Sequence, residues 1–255
     1  MATENRVLPE YKYLVIDEAH HLEEGATKAF SFEASRSTLE LMLRGLAHER
    51  GGLLGTLAGA LRGSDAPPNV QRETQNILSD VAEDVERARR GVSDFFNALE
   101  DLLSQDANAN ENESGYDRQI RLMPERRAQP NWSNLEVAWD AFSRTLIKVR
   151  DGMGRIYAAW EDLDTFEVPS YFALVSEIGA AIRRLGETRA QLEAIIAKPQ
   201  VGGIYWATIH KNNNDVSLHA APLYVGDLLQ KQLFAGRHAT ILTSATLCVD
   251  KSFAH

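Results

Sequence analysis

The stretch "YKYLVIDEAHHLEE", Tyr11 to Glu24, decides how the chain is read. Tyr13, Leu14, Val15 and Ile16 make a short apolar run with the length of a buried strand, and it ends abruptly in Asp17-Glu18-Ala19-His20. In a parallel sheet a strand is buried on both faces, and ligands gather beyond the carboxyl ends of the strands. A carboxylate at that edge suits a magnesium ion carried by nucleotide phosphates. A second acid beside it can orient or deprotonate the attacking water. Asp17 fits the metal role and Glu18 the water role. The competing reading is a surface helix start, where the helix dipole also favours acids.

Working outward, a similar pattern returns near the other end. "HATILTSATL", His238 to Leu247, predicts a buried strand over Thr240 to Leu242 that ends in small polar residues. Thr243 to Thr246 alone say little, since hydroxyl residues are common in turns. Before this strand, "IYWATI" from Ile204 and "VSLHAAPL" from Val216 predict two strands, with "NNND" between them as a hairpin turn. A helix is predicted from Val225 to Phe234.

Between these ends the grammar is helical. Leu78, Val81, Val85, Ala88, Val92, Phe95, Leu99 and Leu102 recur at alternating spacings of three and four. So do Leu135, Trp139, Phe142, Leu146, Val149, Met153, Ile156, Trp160 and Leu163. A third set is Tyr171, Val175, Ile178, Ile182 and Leu185, then Leu192 and Ile196, with Arg189 off the pattern. Each set keeps one stripe of a helix apolar and predicts long antiparallel helices packed side by side, each reaching roughly 40 Å at 1.5 Å per residue. A shorter helix is predicted over Ser37 to Arg50. "GSDAPPN" from Gly63, "SQDANANENESG" from Ser104 to Gly115, "EVPS" from Glu167 and "AKPQVGG" from Ala197 read as breaks or loops. "YDRQIRLMP" from Tyr116 alternates enough for a short strand.

The bulk composition sets limits. The 255 residues allow one large domain or two modest ones; 44% are apolar and 25% charged, as in an ordinary globular protein. No apolar run has the length of a membrane span, and the first ten residues lack a signal pattern, so a cytoplasmic protein is expected. The single cysteine, Cys248, excludes an internal disulfide framework or a cysteine-ligated cluster and reads as a small buried hydrophobe. A net charge of −9 argues against holding nucleic acid by overall charge, though a local basic groove stays open. Arg118, Arg121, Arg126 and Arg127 cluster, as do Arg87, Arg89 and Arg90; the plainer reading is solvated surface charge.

"VIDEAHHLEE" followed far downstream by "LHAAPL" and "ILTSATL" resembles the DinG/XPD-type ATP-dependent helicases of superfamily two, and "FEASRSTLE" is similar to the bacterial DinG-like branch. The resemblance extends over nearly the whole chain. It implies a mixed α/β, mainly helical fold: a partial RecA-like parallel sheet built from residues 1–25 and 202–255, with an inserted helical arch domain at 26–201. It implies that Asp17 binds Mg2+ of Mg-ATP, that Glu18 activates water and that His20 links the nucleotide site to the Ser244-Ala245-Thr246 motif. Ser244 and Thr246 would couple hydrolysis to movement along DNA. The arch would embrace single-stranded DNA, with Arg118 and Arg121 as candidate contacts. Movement in the 5′-to-3′ sense and a role in DNA repair follow from the same resemblance.

No Gly-x-x-x-x-Gly-Lys-Ser/Thr phosphate loop occurs in the chain. In the family that loop, and the cysteines of the iron–sulfur cluster found in some members, precede the Asp-Glu-Ala-His box, and a second motor domain follows the Ser-Ala-Thr motif. The chain is therefore expected to be an internal piece, part of one motor plus the arch, inactive by itself. The alternative is a non-catalytic helical protein-interaction module. His21, His210, His219 and His238 lack metal-ligand spacing. Trp132, Trp139, Trp160 and Trp206 could stack on bases, but Trp139 and Trp160 fall on an apolar stripe and fit core packing better.

Overall fold

The computed structural model describes residues 11–48, 51–107, 117–211 and 215–244. The fold is mixed α/β and mainly helical, with a small parallel sheet. The chain divides into two compact units: Met1–Phe32 with Val201–Ile204 and Ala221–His255, and Glu33–Gln200 with Tyr205–Ala220.

In the first unit β1 (Tyr13–Ile16) pairs in parallel with β6 (Ala239–Leu242), and the register sets Ile16 against Leu242. A 3₁₀ turn at Ala19–His21 follows β1 and leads into α1 (Leu22–Phe30). The helix expected over Val225 to Phe234 is split, with α8 (Gly226–Leu229) followed by one wider π-type turn at Gln230–Phe234.

The second unit is built on the three apolar stripes. α4 (Pro68–Ala107), α6 (Trp132–Glu161) and α7 (Tyr171–Ile196) lie side by side, α6 between the other two. All eight stripe residues of α4 are buried, as are those of α6 and Leu163 just beyond its end. α4 begins ten residues earlier than its stripe, at Pro68, because proline is tolerated in the first helical turn. It also runs through Ser104 to Ala107, which were expected in a loop; Asn108 to Tyr116 lie outside the described residues. On α7 the buried face is Leu174, Ile178, Leu185, Thr188 and Leu192, with Tyr171, Val175 and Ile182 only half-buried.

The shorter helix, α2 (Arg36–Leu46), starts and stops earlier than expected. Ser35 accepts from the Thr38 backbone N–H at 3.2 Å, and the Thr38 hydroxyl accepts from the Ser35 N–H at 2.8 Å. This reciprocal cap fixes the start. A helix the sequence reading did not anticipate, α3 (Leu53–Arg62), follows it. The four-stranded sheet runs in the order β2 (Phe32–Ser35), β5 (Val216–Pro222), β4 (Gly203–Ile209), β3 (Arg118–Arg121), with β3 antiparallel to β4. The hairpin residues 212–214 lie outside the described residues. A single turn, α5 (Pro124–Arg127), links β3 to α6.

Candidate functional site

The parallel pairing of β1 and β6 brings two stretches more than 220 residues apart to one corner of the first unit. Thr243 is the hinge of that corner. Its N–H donates to the Ile16 carbonyl at 2.9 Å and its own carbonyl accepts from the Ala19 N–H at 2.9 Å. Its hydroxyl donates to Asp17 Oδ1 at 2.6 Å, and the Glu18 N–H donates to the same oxygen at 2.9 Å. The Thr243 hydroxyl first, and the Glu18 N–H second, hold the Asp17 carboxyl below the usual carboxylate range.

Glu18 adopts a left-handed conformation, φ 50° and ψ 43°, which is uncommon for a residue with a side chain. Such backbone persists where its surroundings over-determine it. Here the Glu18 N–H is tied to Asp17, the Glu18 carbonyl accepts from the His21 N–H at 3.0 Å, and Ala19 is tied to Thr243. The turn aims the Glu18 carboxylate at the end of β6. Ser244 Oγ donates to Glu18 Oε2 at 3.3 Å, and His20 Nδ1 lies 2.7 Å from Ser244 Oγ and 3.2 Å from Glu18 Oε2. A carboxylate only accepts, so the Ser244 hydroxyl is the donor in its bond to Glu18. Asp17, Glu18, His20 and Ser244 thus form one connected group. Ala245 and Thr246 lie outside the described residues, as does Cys248.

A cleft of about 530 Å³ opens beside this group, lined by Ile16, Asp17, Glu18, His21, Leu22 and residues of α1, with Leu229, Gln232 and Leu233. Asp17 Oδ2 has no protein partner among the described residues. A metal held mainly by phosphates and waters needs only one or two carboxylates, and this donor set fits that demand. It does not fit an all-protein cage: no group of three metal-ligating side chains forms among the described residues.

Arg118 and Arg121 sit on β3, three residues apart, so they project from opposite faces of the strand. Arg121 is exposed, while Arg118 shares the side of buried Ile120. Arg127 is committed to the fold. Its guanidinium donates to the last carbonyls of α7, at Ile195 and Ile196, and lies over the rings of Trp132 at 5.1 Å and Tyr205 at 5.6 Å. Trp132, Trp139 and Trp160 are buried; Trp206 is half-buried and stacks on His219 with ring centroids 4.9 Å apart.

Two features had no mark in the sequence. Thr243 is one hydroxyl residue among three in a turn-like string. His210 and His219, nine residues apart, meet through one hydroxyl: His210 Nε2 and His219 Nε2 each lie 2.8 Å from Ser217 Oγ, and Asp117 Oδ2 holds His210 Nδ1 at 2.9 Å. Hairpin pairing makes this network, and no local spacing announces it.

No protein-family model matches the chain. It is similar to the 3′-5′ exonuclease DinG of Bacillus subtilis (strain 168), 25% identical over 96% of the chain and 26% of that protein. It is also similar to the ATP-dependent helicase DinG of Mycobacterium tuberculosis and of Mycobacterium bovis, 37% identical over 30% of the chain and 12% of each of those proteins. The chain thus spans about a quarter of the length of the Bacillus protein. These similarities relate it to DinG-type helicases.

Proposed function

We propose that the chain carries the hydrolysis corner of a DinG-type ATP-dependent DNA helicase together with its helical arch. The observation that carries this reading is the connected group at the shared strand ends, Asp17, Glu18, His20 and Ser244, in a chain related to DinG proteins over most of its length. Asp17 offers its free oxygen to Mg2+, and Glu18 accepts a proton from the attacking water. Mg2+ on the nucleotide would neutralise charge on the transferring phosphoryl group. His20 and Ser244 hold Glu18 in place, and a shift of the β6 end would release it; this is how Ser244, with Ala245 and Thr246, would couple hydrolysis to movement. Single-stranded DNA is the partner, with the helical second unit as the arch around it and Arg121 the better placed of the two candidate arginines. Movement would run 5′ to 3′.

The division of labour follows from chemistry. Triphosphate is bound mainly by the N–H groups and lysine of a phosphate loop, and the chain has none. The two-stranded parallel sheet also exposes Tyr13, Val15 and Ile241, whereas parallel sheets are ordinarily covered on both faces. Both features fit a motor completed by a phosphate-loop segment and a second motor domain from a longer polypeptide. By itself the chain is expected to hydrolyse no ATP. Joined to those segments it is expected to gain Mg2+-dependent ATP hydrolysis that Glu18→Gln abolishes. Turnover unaffected by Glu18→Gln would contradict the reading.

A further inference from the structure

We propose that Thr243 is a positioning residue, whose hydroxyl selects the Asp17 rotamer that presents one free oxygen to a divalent cation. The inference rests on Asp17 as the cation ligand and adds a residue that the Asp-Glu-Ala-His and Ser-Ala-Thr strings leave out.

The geometry separates two jobs within one residue. The Thr243 N–H and carbonyl bind Ile16 and Ala19 on either side of the acidic turn, and any residue could make those bonds. The hydroxyl adds only the 2.6 Å bond to Asp17 Oδ1; its other neighbour, the Ile16 carbonyl, lies at 3.5 Å. With the Glu18 N–H on the same oxygen, Oδ1 is occupied by two donors, which leaves Oδ2 of the exposed Asp17 without a hydrogen bond among the described residues. Asp17 is exposed at the end of β1, so its side chain is held chiefly by these hydrogen bonds. A cation approaching this carboxylate meets one oxygen that is already oriented. Removing the hydroxyl leaves a single donor, the adjacent backbone N–H, and frees the side chain to rotate.

Valine keeps the shape and the backbone bonds of threonine without the hydroxyl, and serine keeps the hydroxyl. Three-bond couplings to the Asp17 carboxyl carbon report its χ1, and Mn2+ added alone reports cation binding through broadening of the Asp17 and Glu18 amide signals. Wild type and Thr243→Ser are expected to hold one Asp17 rotamer. Thr243→Val is expected to average over several and to need about three- to tenfold more Mn2+ for the same broadening, as loss of one hydrogen bond implies. Unchanged couplings and Mn2+ response in Thr243→Val would overturn the proposal, as would Thr243→Ser behaving like Thr243→Val. Asp17→Asn separates this from the wider reading. If it leaves Mn2+ broadening intact, Asp17 is not the ligand and both fall; if it abolishes broadening while Thr243→Val has no effect, only the role of Thr243 falls.

Discussion

Three backbone-anchored hydrogen bonds hold the left-handed turn at Glu18, and single side chains elsewhere carry comparable loads. Arg127 is one. Its Nη1 donates to both the Ile195 and Ile196 carbonyls while the guanidinium plane lies over Trp132 and Tyr205. Lysine has no flat face to lay over the two rings. Arg127→Lys is expected to lower stability by about 1.5–3 kcal/mol in denaturant unfolding, the range for hydrogen bonds to a charged group; a change within error would show that these contacts add nothing. His219 is another. Burial pushes its pKa below 6.5; Glu33, 4.0 Å away, pulls it back up and His210 pushes it further down. The unfolded chain therefore takes up this proton first. Stability from neutral His219 is full above about pH 6.5 and is lost as the pH falls toward the folded-state value. His219→Gln is expected to flatten the fall in stability below pH 6.5, and an unchanged slope would contradict the assignment. The strand end that carries Asp17 and Glu18 was legible because an apolar run ending in two acids is a rare string. Thr243 and the Ser217 bridge were not, because each owes its role to a partner brought close only by strand pairing.

At the scale of elements, the helix stripes were legible because burial imposes a 3.6-residue period on α4 and α6. The stripe of α7 was misread at Tyr171 and Val175. Leu174 faces inward instead, beside the expected Ile178, because α7 packs on more than one neighbour and its apolar surface is broad enough to allow two registers. α3 escaped notice because "LLGTLAGALR" mixes glycine with its leucines, and glycine is a poor helix former. Glycine has a sharper meaning at Gly152, on the α6 face against α4. A Cβ there would sit 2.6 Å from Val81 Cγ2, whereas at Gly154 it would meet nothing within 4 Å. Gly154→Ala is expected to stabilise by about 0.5–1 kcal/mol through helix propensity. Gly152→Ala is expected to destabilise by about 1 kcal/mol, because overpacking outweighs the same gain. Thermal unfolding should move in opposite directions for the two, and a shared direction would deny the close approach of α4 and α6. Ser35→Ala removes one half of the reciprocal cap on α2 and is expected to cost about 1 kcal/mol.

At the scale of the whole molecule, the chain is a mixed α/β protein whose described helices include none long and apolar enough to cross a membrane. Its fold class was legible because β-type sequence brackets a long helical block. Most residues of β4 and β5 group with the helical unit. With a net charge of −9, the DNA binding proposed for the second unit would have to be local, through few phosphate contacts. Each such contact contributes about −0.7 to the slope of log affinity against log salt for a single strand. The most direct test of the account is the anisotropy of a labelled single-stranded oligonucleotide titrated with the chain at several salt concentrations. Binding is expected to weaken with salt, with a slope about 0.7 shallower in Arg121→Ala. Tight self-association with no DNA binding at low salt would contradict it and mark the chain as a helical protein-interaction module.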